Sequence, residues 1–137
     1  MIRVLIVDDH QLVRQGFRLL LERADGMQVV GEARDGLEGI EMIERTSPDV
    51  VLMDVQMPRL NGLDATARIH AKHADLPVLI VAMSSEEAQV RQALRNGAKG
   101  YIRKNDDYAE LLAAIHALHA GKSYLSPAIA TILSHTR

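Results

Sequence analysis

The sequence predicts a doubly wound α/β fold, in which a five-stranded parallel sheet of order 2-1-3-4-5 carries helices on both faces. Three observations lead to this fold: short apolar runs rich in β-branched residues, segments of helical periodicity between them, and glycines and prolines at the joins. The runs are continuously apolar rather than alternating, which is typical of strands covered on both faces. Regular alternation of strand and helix then favours parallel pairing.

The expected strands lie at 4–7, 29–30, 50–53, 78–81 and, more weakly, 101–102. Pro48 and Pro77 each stand just before a strand. Gly97 and Gly121 lie where the glycines that end helices are usually found.

Five segments between the strands carry apolar residues at helical spacing, at 12–21, 37–43, 63–69, 90–94 and 111–118. Ser84 with Glu87, and Asp107 with Glu110, have the spacing of a capping box. These pairs predict the starts of the fourth and fifth helices.

The last residues begin one more helix. Ser126 is a suitable cap, Pro127 suits a first helical turn, and the apolar residues 128, 129, 132 and 133 follow. We expect a domain at 1–122, with 123–137 as a linker and the start of a helix that leads to an absent domain. The alternative, a helix that packs back on the same domain, has equal weight.

The composition excludes several classes of protein. The chain has 137 residues, 47% of them hydrophobic and 25% charged, which is the size and composition of one globular domain. It has no cysteine for a disulfide or a thiolate metal site, and its net charge of −2 shows no bias toward nucleic acid or membrane. No apolar run approaches the roughly 20 residues of a membrane helix.

Charged residues follow the strands at the edge where ligands bind in such sheets. Asp8 and Asp9 follow the first strand, Asp54 ends the third, and Lys104 follows the fifth. Three converging carboxylates repel one another, and Mg²⁺, which prefers oxygen ligands, relieves that repulsion. With Lys104 opposite, the site suits a phosphoryl group, with a carboxylate as its nucleophile. One such aspartate alone is more often a helix cap or a loop residue.

At these residues the chain resembles the receiver domain of bacterial two-component response regulators, whose fold is flavodoxin-like (CheY-like). The resemblance covers residues 1 to about 122 and is carried by VLIVDDH (4–10), DVVLMDVQMPRLNG (49–62) and GAKGYIRK (97–104). The subtype resembles the NarL/FixJ (LuxR-type) branch in DDHQLVRQGFRLLLE, VVGEARDGLEG and GKSYLSPAIA.

The resemblance implies a role for each matching position of the metal site. Asp54 would accept a phosphoryl group from a sensor histidine kinase. Asp9 and Asp54 would ligate Mg²⁺ together with the backbone carbonyl of Gln56, and Asp8 would assist through a water molecule.

Other positions would sense or tune the phosphoryl group. Lys104 would pair with its oxygens, and Tyr101 would turn inward or outward with activation. Gln56 and Ser84 would flank the path of the hydrolytic water and tune the lifetime of the phosphoryl group. The protein would catalyse only its own phosphorylation and dephosphorylation, and would not be an enzyme for an external substrate.

The resemblance also implies the setting. Such a protein would work in the bacterial cytoplasm as a homodimer, away from membranes. It would reach DNA only through a helix-turn-helix output domain, which we expect to be absent from these 137 residues.

One position departs from the family. Ala82 stands where a threonine or serine hydroxyl would bond the phosphoryl group. A methyl group donates no hydrogen bond, so we expect Asp54 to remain reactive while its coupling to the fourth helix and Tyr101 is weakened or passes through Ser84.

Two other functions stay open. The first is an interaction module that works without phosphorylation, of which Ala82 would be the mark. The second is a Mg²⁺-dependent phosphatase with an aspartyl nucleophile after the first strand, although such enzymes carry an acid two residues after that nucleophile and here Asp8 is followed by His10. His10 itself could lie near the rim of the site, but we favour a solvated loop position.

Overall fold

A computed structural model describes residues 1–134 as one parallel sheet between two layers of helices. The strands are β1 (Ile2–Val7), β2 (Met27–Ala33), β3 (Val50–Met53), β4 (Val78–Ala82), β5 (Gly100–Arg103) and β6 (Tyr124–Leu125). The helices are α1 (Gln11–Glu22), α2 (Gly36–Thr46), α3 (Gly62–Lys72), α4 (Glu87–Arg95), α5 (Tyr108–His119) and α6 (Pro127–Ser134).

The sheet has the order β2-β1-β3-β4-β5-β6, and every neighbouring pair is parallel. The predicted fold and the order of the first five strands are therefore confirmed. The sixth strand was not predicted, because two residues are too few to show a strand pattern.

Side chains of β1, β3, β4 and β5 alternate between two apolar cores, one on each face of the sheet. In β1, Leu5 and Val7 join the core under α2, α3, α4 and α6, whereas Val4 and Ile6 join the core under α1 and α5. All four residues are at most 1% exposed. Burial on both faces explains the continuously apolar runs.

The helix starts follow local capping chemistry in part. The carboxylate of Asp107 accepts a hydrogen bond from the backbone N–H of Glu110, which confirms the predicted start of α5. The cap predicted for α4 is wrong. Glu86 occupies the cap position without a side-chain bond, and Ser84 lies two residues earlier, where its hydroxyl accepts from the N–H of Glu86 at 3.3 Å.

The packed unit continues past residue 122, the predicted domain boundary. Strand β6 pairs with β5, and α6 lies against α4, β5 and β6. Ile129 of α6 is fully buried in the core beside α4. Up to Ser134, the last residue described, the tail packs back on the domain; residues 135–137 of the predicted helix lie outside the described part.

Among residues 1–134, no helix is long and apolar enough to span a membrane.

Candidate functional site

The carboxyl ends of β1, β3 and β5 bring three charged residues to one edge of the sheet. The backbone N–H of Asp54 donates to the carbonyl of Val7 at 2.9 Å, which places Asp54 beside the end of β1. The N–H of Lys104 donates to the carbonyl of Ala82 at 2.9 Å, which fixes the lysine opposite the end of β4. Strand pairing thus fixes the backbone positions of Asp54 and Lys104.

The side chain of Lys104 bridges two carboxylates. Its Nζ lies 2.8 Å from Oδ2 of Asp8 and 3.3 Å from Oδ1 of Asp54. The side chains of Asp8 and Asp54 are 3% and 7% exposed, and that of Lys104 is 10% exposed. An ion triad this well shielded from water is costly to assemble, and a functional reason explains it better than stability does.

Burial and charge shift the pKa values of Asp54 and Lys104. Burial, and then the nearby charge of Asp8, raise the pKa of Asp54 above its ordinary value, and Lys104 offsets these effects only in part. Burial alone would lower the pKa of Lys104, but its contacts with Asp8 and Asp54 hold that pKa above its ordinary value. Lys104 therefore stays charged at neutral pH and supplies the positive side of the site.

Asp9 and His10 extend the site toward solvent, and with Asp8 and Asp54 they form what we call the acidic group. Asp8, Asp9, His10 and Asp54 each offer one ligand atom, and these atoms lie within 4.8 Å of one another. Nδ1 of His10 lies 3.2 Å from Oδ1 of Asp8 and 3.1 Å from Oδ1 of Asp9. The carboxylate oxygens are the hard donors that suit Mg²⁺, so the donor set fits the predicted metal.

The loop after β3 is held tightly against Asp54. The N–H of Gly62 donates to the carbonyl of Val55 at 2.7 Å, and a Cβ on Gly62 would lie 1.8 Å from the carbonyl oxygen of Asp54. Only glycine permits this approach. The N–H of Val55 donates to Oδ1 of Asp54 at 2.8 Å and so orients the carboxylate.

A cavity of about 500 Å³ opens above the acidic group. Of the predicted residues, it is lined by Asp9, Asp54, Gln56, Ala82, Ser84 and Lys104. Asp8 lies beneath, in contact with Lys104. The predicted positions around the phosphoryl group therefore converge in space, although the roles assigned to them stay predictions.

Ala82 ends β4 and is 1% exposed, with its methyl group on the cavity wall. In this register the residue at the end of β4, whose carbonyl accepts from the N–H of Lys104, offers no hydroxyl. Ser84 reaches the same wall two residues later.

Tyr101 lies fully buried, on the face of the sheet that α4 covers. Its hydroxyl donates to the carbonyl of Ser84 at 2.7 Å. The side-chain amide of Gln89, in the first turn of α4, donates to the hydroxyl of Tyr101 at 2.8 Å and approaches the carbonyl of Ser84 at 3.3 Å. Burial raises the pKa of Tyr101, and the bond from Gln89 opposes that rise.

Two polar residues that line the cavity were not among the predicted site residues. His10 was assigned to a solvated loop; its side chain is 63% exposed, yet its ring reaches both carboxylates. Gln89 went unnoticed because it is one polar residue on a helix, with no motif around it. Its place in the first turn of α4 gave no signal that it reaches the cavity.

Comparison with known proteins agrees with this geometry. The family model described as the response regulator receiver domain matches residues 4–116. The chain belongs to this family. The receiver domain is 45% identical over 134 residues to the response regulator GacA of Pseudomonas viridiflava, which covers 98% of this chain and 63% of the relative.

Other relatives point to the same branch. The nitrate/nitrite response regulator protein NarL of Escherichia coli K12 is 37% identical over 131 residues, which covers 96% of this chain and 61% of the relative. A crystal structure of a LuxR-family two-component response regulator from Aurantimonas sp. SI85-9A1 superposes with a TM-score of 0.92 at 40% identity, over 96% of this chain and 94% of that one. The receiver domain is thus of the NarL/LuxR type, and it spans about three fifths of the length of these two curated relatives.

Proposed function

We propose that this receiver domain accepts a phosphoryl group on Asp54 from a sensor histidine kinase, in a reaction that requires Mg²⁺. The observation that carries the proposal is the bridge from Nζ of Lys104 to Asp8, at 2.8 Å, and to Asp54, at 3.3 Å, at the base of an open cavity. A buried cation beside a carboxylate at a cavity wall is suited to an incoming phosphoryl group.

Each residue has a defined task in this reaction. Asp54 provides the attacking oxygen, and the N–H of Val55 holds the carboxylate in one orientation. Lys104 can transfer its contact from Asp54 to a phosphoryl oxygen while keeping its contact with Asp8.

The acidic group would hold the metal. Asp8, Asp9 and Asp54 supply carboxylate oxygens, and the proposed ligand set also includes the backbone carbonyl of Gln56. When bound, Mg²⁺ neutralises charge on the phosphoryl oxygens. Without the metal, burial and then the charge of Asp8 raise the pKa of Asp54, and Lys104 offsets this only in part.

Phosphorylation would then control dimerisation and a DNA-binding output domain. The relatives, which are response regulators longer than the present chain, support a further domain, and the dimer is proposed from the family resemblance alone. The alternative of a module that works without phosphorylation gains no support, because the acceptor, the lysine and the acidic pair all converge. No external substrate is needed, and we propose that the chain catalyses only its own phosphoryl transfer and hydrolysis.

Intact-mass spectrometry tests the proposal. With Mg²⁺ and a small-molecule phosphodonor, the chain should gain the mass of one phosphoryl group. The gain should vanish in Asp54→Asn and when EDTA removes the metal, but persist in Asp25→Asn, a matched change at an exposed residue. An equal gain in Asp54→Asn would place the phosphoryl group elsewhere and refute the proposal.

A further inference from the structure

The missing hydroxyl at Ala82 leaves open which group reports the state of the cavity to the rest of the domain. Ala82 is 1% exposed and contributes only a methyl group to the wall. A sensor on this side of the cavity needs a hydrogen-bond donor that reaches the cavity. The same side chain must also contact Tyr101 or α4, the parts of the domain that would respond. Within the described residues, the β4–α4 segment and the start of α4 contribute Met83, Ser84 and Gln89 to the cavity.

The side chains of Met83 and Ser84 do not meet both requirements. Met83 carries no donor on its side chain and is 76% exposed. The hydroxyl of Ser84 makes a local contact, accepting from the N–H of Glu86 at 3.3 Å. Ser84 contacts Tyr101 through its backbone carbonyl, not through its hydroxyl.

Gln89 meets both. Its amide nitrogen donates to the hydroxyl of Tyr101 at 2.8 Å and lies 3.3 Å from the carbonyl of Ser84. The hydroxyl of Tyr101 donates in turn to that same carbonyl at 2.7 Å, so the three residues close a triangle. Both bonds leave from the amide nitrogen, which carries two N–H donors, so an anion in the cavity would compete with the carbonyl of Ser84 for one of them.

Gln89 also belongs to α4, the helix that packs beside Tyr101. It lies in the first turn of α4, whose start lacks a side-chain cap. The next residue, Val90, is fully buried in the core that also holds Tyr101 and Ile129. A shift of Gln89 therefore moves the start of α4 against Tyr101 and against α6.

We propose that Gln89 is a positioning residue, whose amide senses the phosphoryl group in the cavity and passes its presence to Tyr101 and α4. The inference rests on the proposed function and adds to it the route of the signal. An anion on Asp54 draws an N–H of the Gln89 amide toward it, directly or through a water molecule. The bond from Gln89 to Tyr101 then changes, and with it the position of Tyr101 over the carbonyl of Ser84.

NMR with Mg²⁺ and BeF₃⁻, a mimic of the phosphoryl group, tests this route. Amide signals of Val55 and Lys104 report binding at the site, and those of Tyr101 and Val90 report its transmission. In Gln89→Leu we expect BeF₃⁻ binding to persist. At Tyr101 and Val90, the ratio of the BeF₃⁻-induced conformation to the resting one should fall about tenfold, the factor expected for loss of one hydrogen bond to an anion.

Two variants separate this role from a structural one. Gln92→Leu makes the same change one turn later on α4, where the amide bonds Asn96, and it should respond like the unsubstituted chain. Ala82→Thr added to Gln89→Leu restores a donor at the cavity wall and should recover the response. Recovery would exclude simple misfolding of α4.

The outcomes are distinct. An unaltered response at Tyr101 and Val90 in Gln89→Leu overturns the inference alone. Loss of the response in Gln92→Leu as well would assign the effect to helix packing and also overturn it. Absence of any BeF₃⁻ effect at Val55 and Lys104 in the unsubstituted chain overturns the proposed function, and the inference falls with it.

Discussion

At the scale of single residues, Asp54 occupies a position that costs the folded chain energy. Its carboxylate is buried next to that of Asp8, and both effects raise its pKa. Lys104 reduces this cost but shares its charge between two acids. A residue held at such a cost is typical of functional sites, where reactivity rather than stability sets the choice of side chain.

Asp54→Asn should therefore stabilise the domain, and the gain should depend on pH. The folded state holds the proton of Asp54 more tightly than the unfolded chain does, so the stability that this carboxyl contributes is full below its ordinary pKa and is lost as pH rises through the raised value. Near pH 7 we expect the substitution to raise the free energy of unfolding by about 1 kcal/mol, a typical size for one substitution.

Urea denaturation at a series of pH values measures this effect. The gain should shrink as the pH falls toward the ordinary pKa of an aspartate, because both side chains are then neutral. Asp25→Asn, at an exposed turn, is the control and should change stability little. A loss of stability in Asp54→Asn near pH 7 would show that the ion pair with Lys104 outweighs burial.

Predictability from sequence differs between residues of this one site. Asp8, Asp54 and Lys104 could be placed together because each follows a strand, and strand ends meet at one edge of a parallel sheet. Gln89 could not be found in this way, since its reach into the cavity depends on where α4 starts and how it packs. The start of α4 was itself mispredicted, because a serine three residues before a glutamate can also stand in a local turn.

At the scale of elements, α6 completes one layer of the domain. Helices α2, α3 and α4 cover the same face of the sheet, and α6 extends that layer over β5 and β6. The sequence showed its apolar residues but not their partner, since periodicity identifies an apolar face without saying what covers it. The burial of Ile129 answers this question for the described residues.

Ile129→Ala should destabilise the domain by about 2–5 kcal/mol, the cost of removing a large aliphatic side chain from a packed core. Ile132→Ala, on the same helix but only partly buried, should cost less. Thermal or urea denaturation of both variants gives the comparison. Equal and negligible effects would mean that α6 is not packed on the domain in solution.

At the scale of the whole molecule, one sheet ties two cores together. Val7 and Ile6 are neighbours in β1 but belong to opposite cores, and the same alternation recurs along β3, β4 and β5. Because both cores are built on the same strands, the sheet cannot unfold in one core and stay folded in the other. The acidic group stands at the carboxyl edge of that shared sheet, so its ligands converge only when the whole domain is folded.

Mg²⁺ should therefore raise the stability of both cores together. A ligand that binds only the folded state adds about 1.4 kcal/mol when its concentration is about ten times its dissociation constant. The chain has three tyrosines and no tryptophan. Tyr101 lies in the core under α4, and Tyr108 packs against the core under α5.

Tyrosine fluorescence during urea unfolding can follow each core separately. Replacing Tyr108 and Tyr124 by Phe leaves Tyr101 as the reporter, and replacing Tyr101 and Tyr124 leaves Tyr108. Both reporters should show one shared midpoint, and Mg²⁺ should move it equally in both. Asp9→Asn, which removes one proposed ligand, should reduce the shift, and NaCl of equal ionic strength should not reproduce it. Midpoints that separate with Mg²⁺ would show that the two cores unfold independently, which a single shared sheet does not allow.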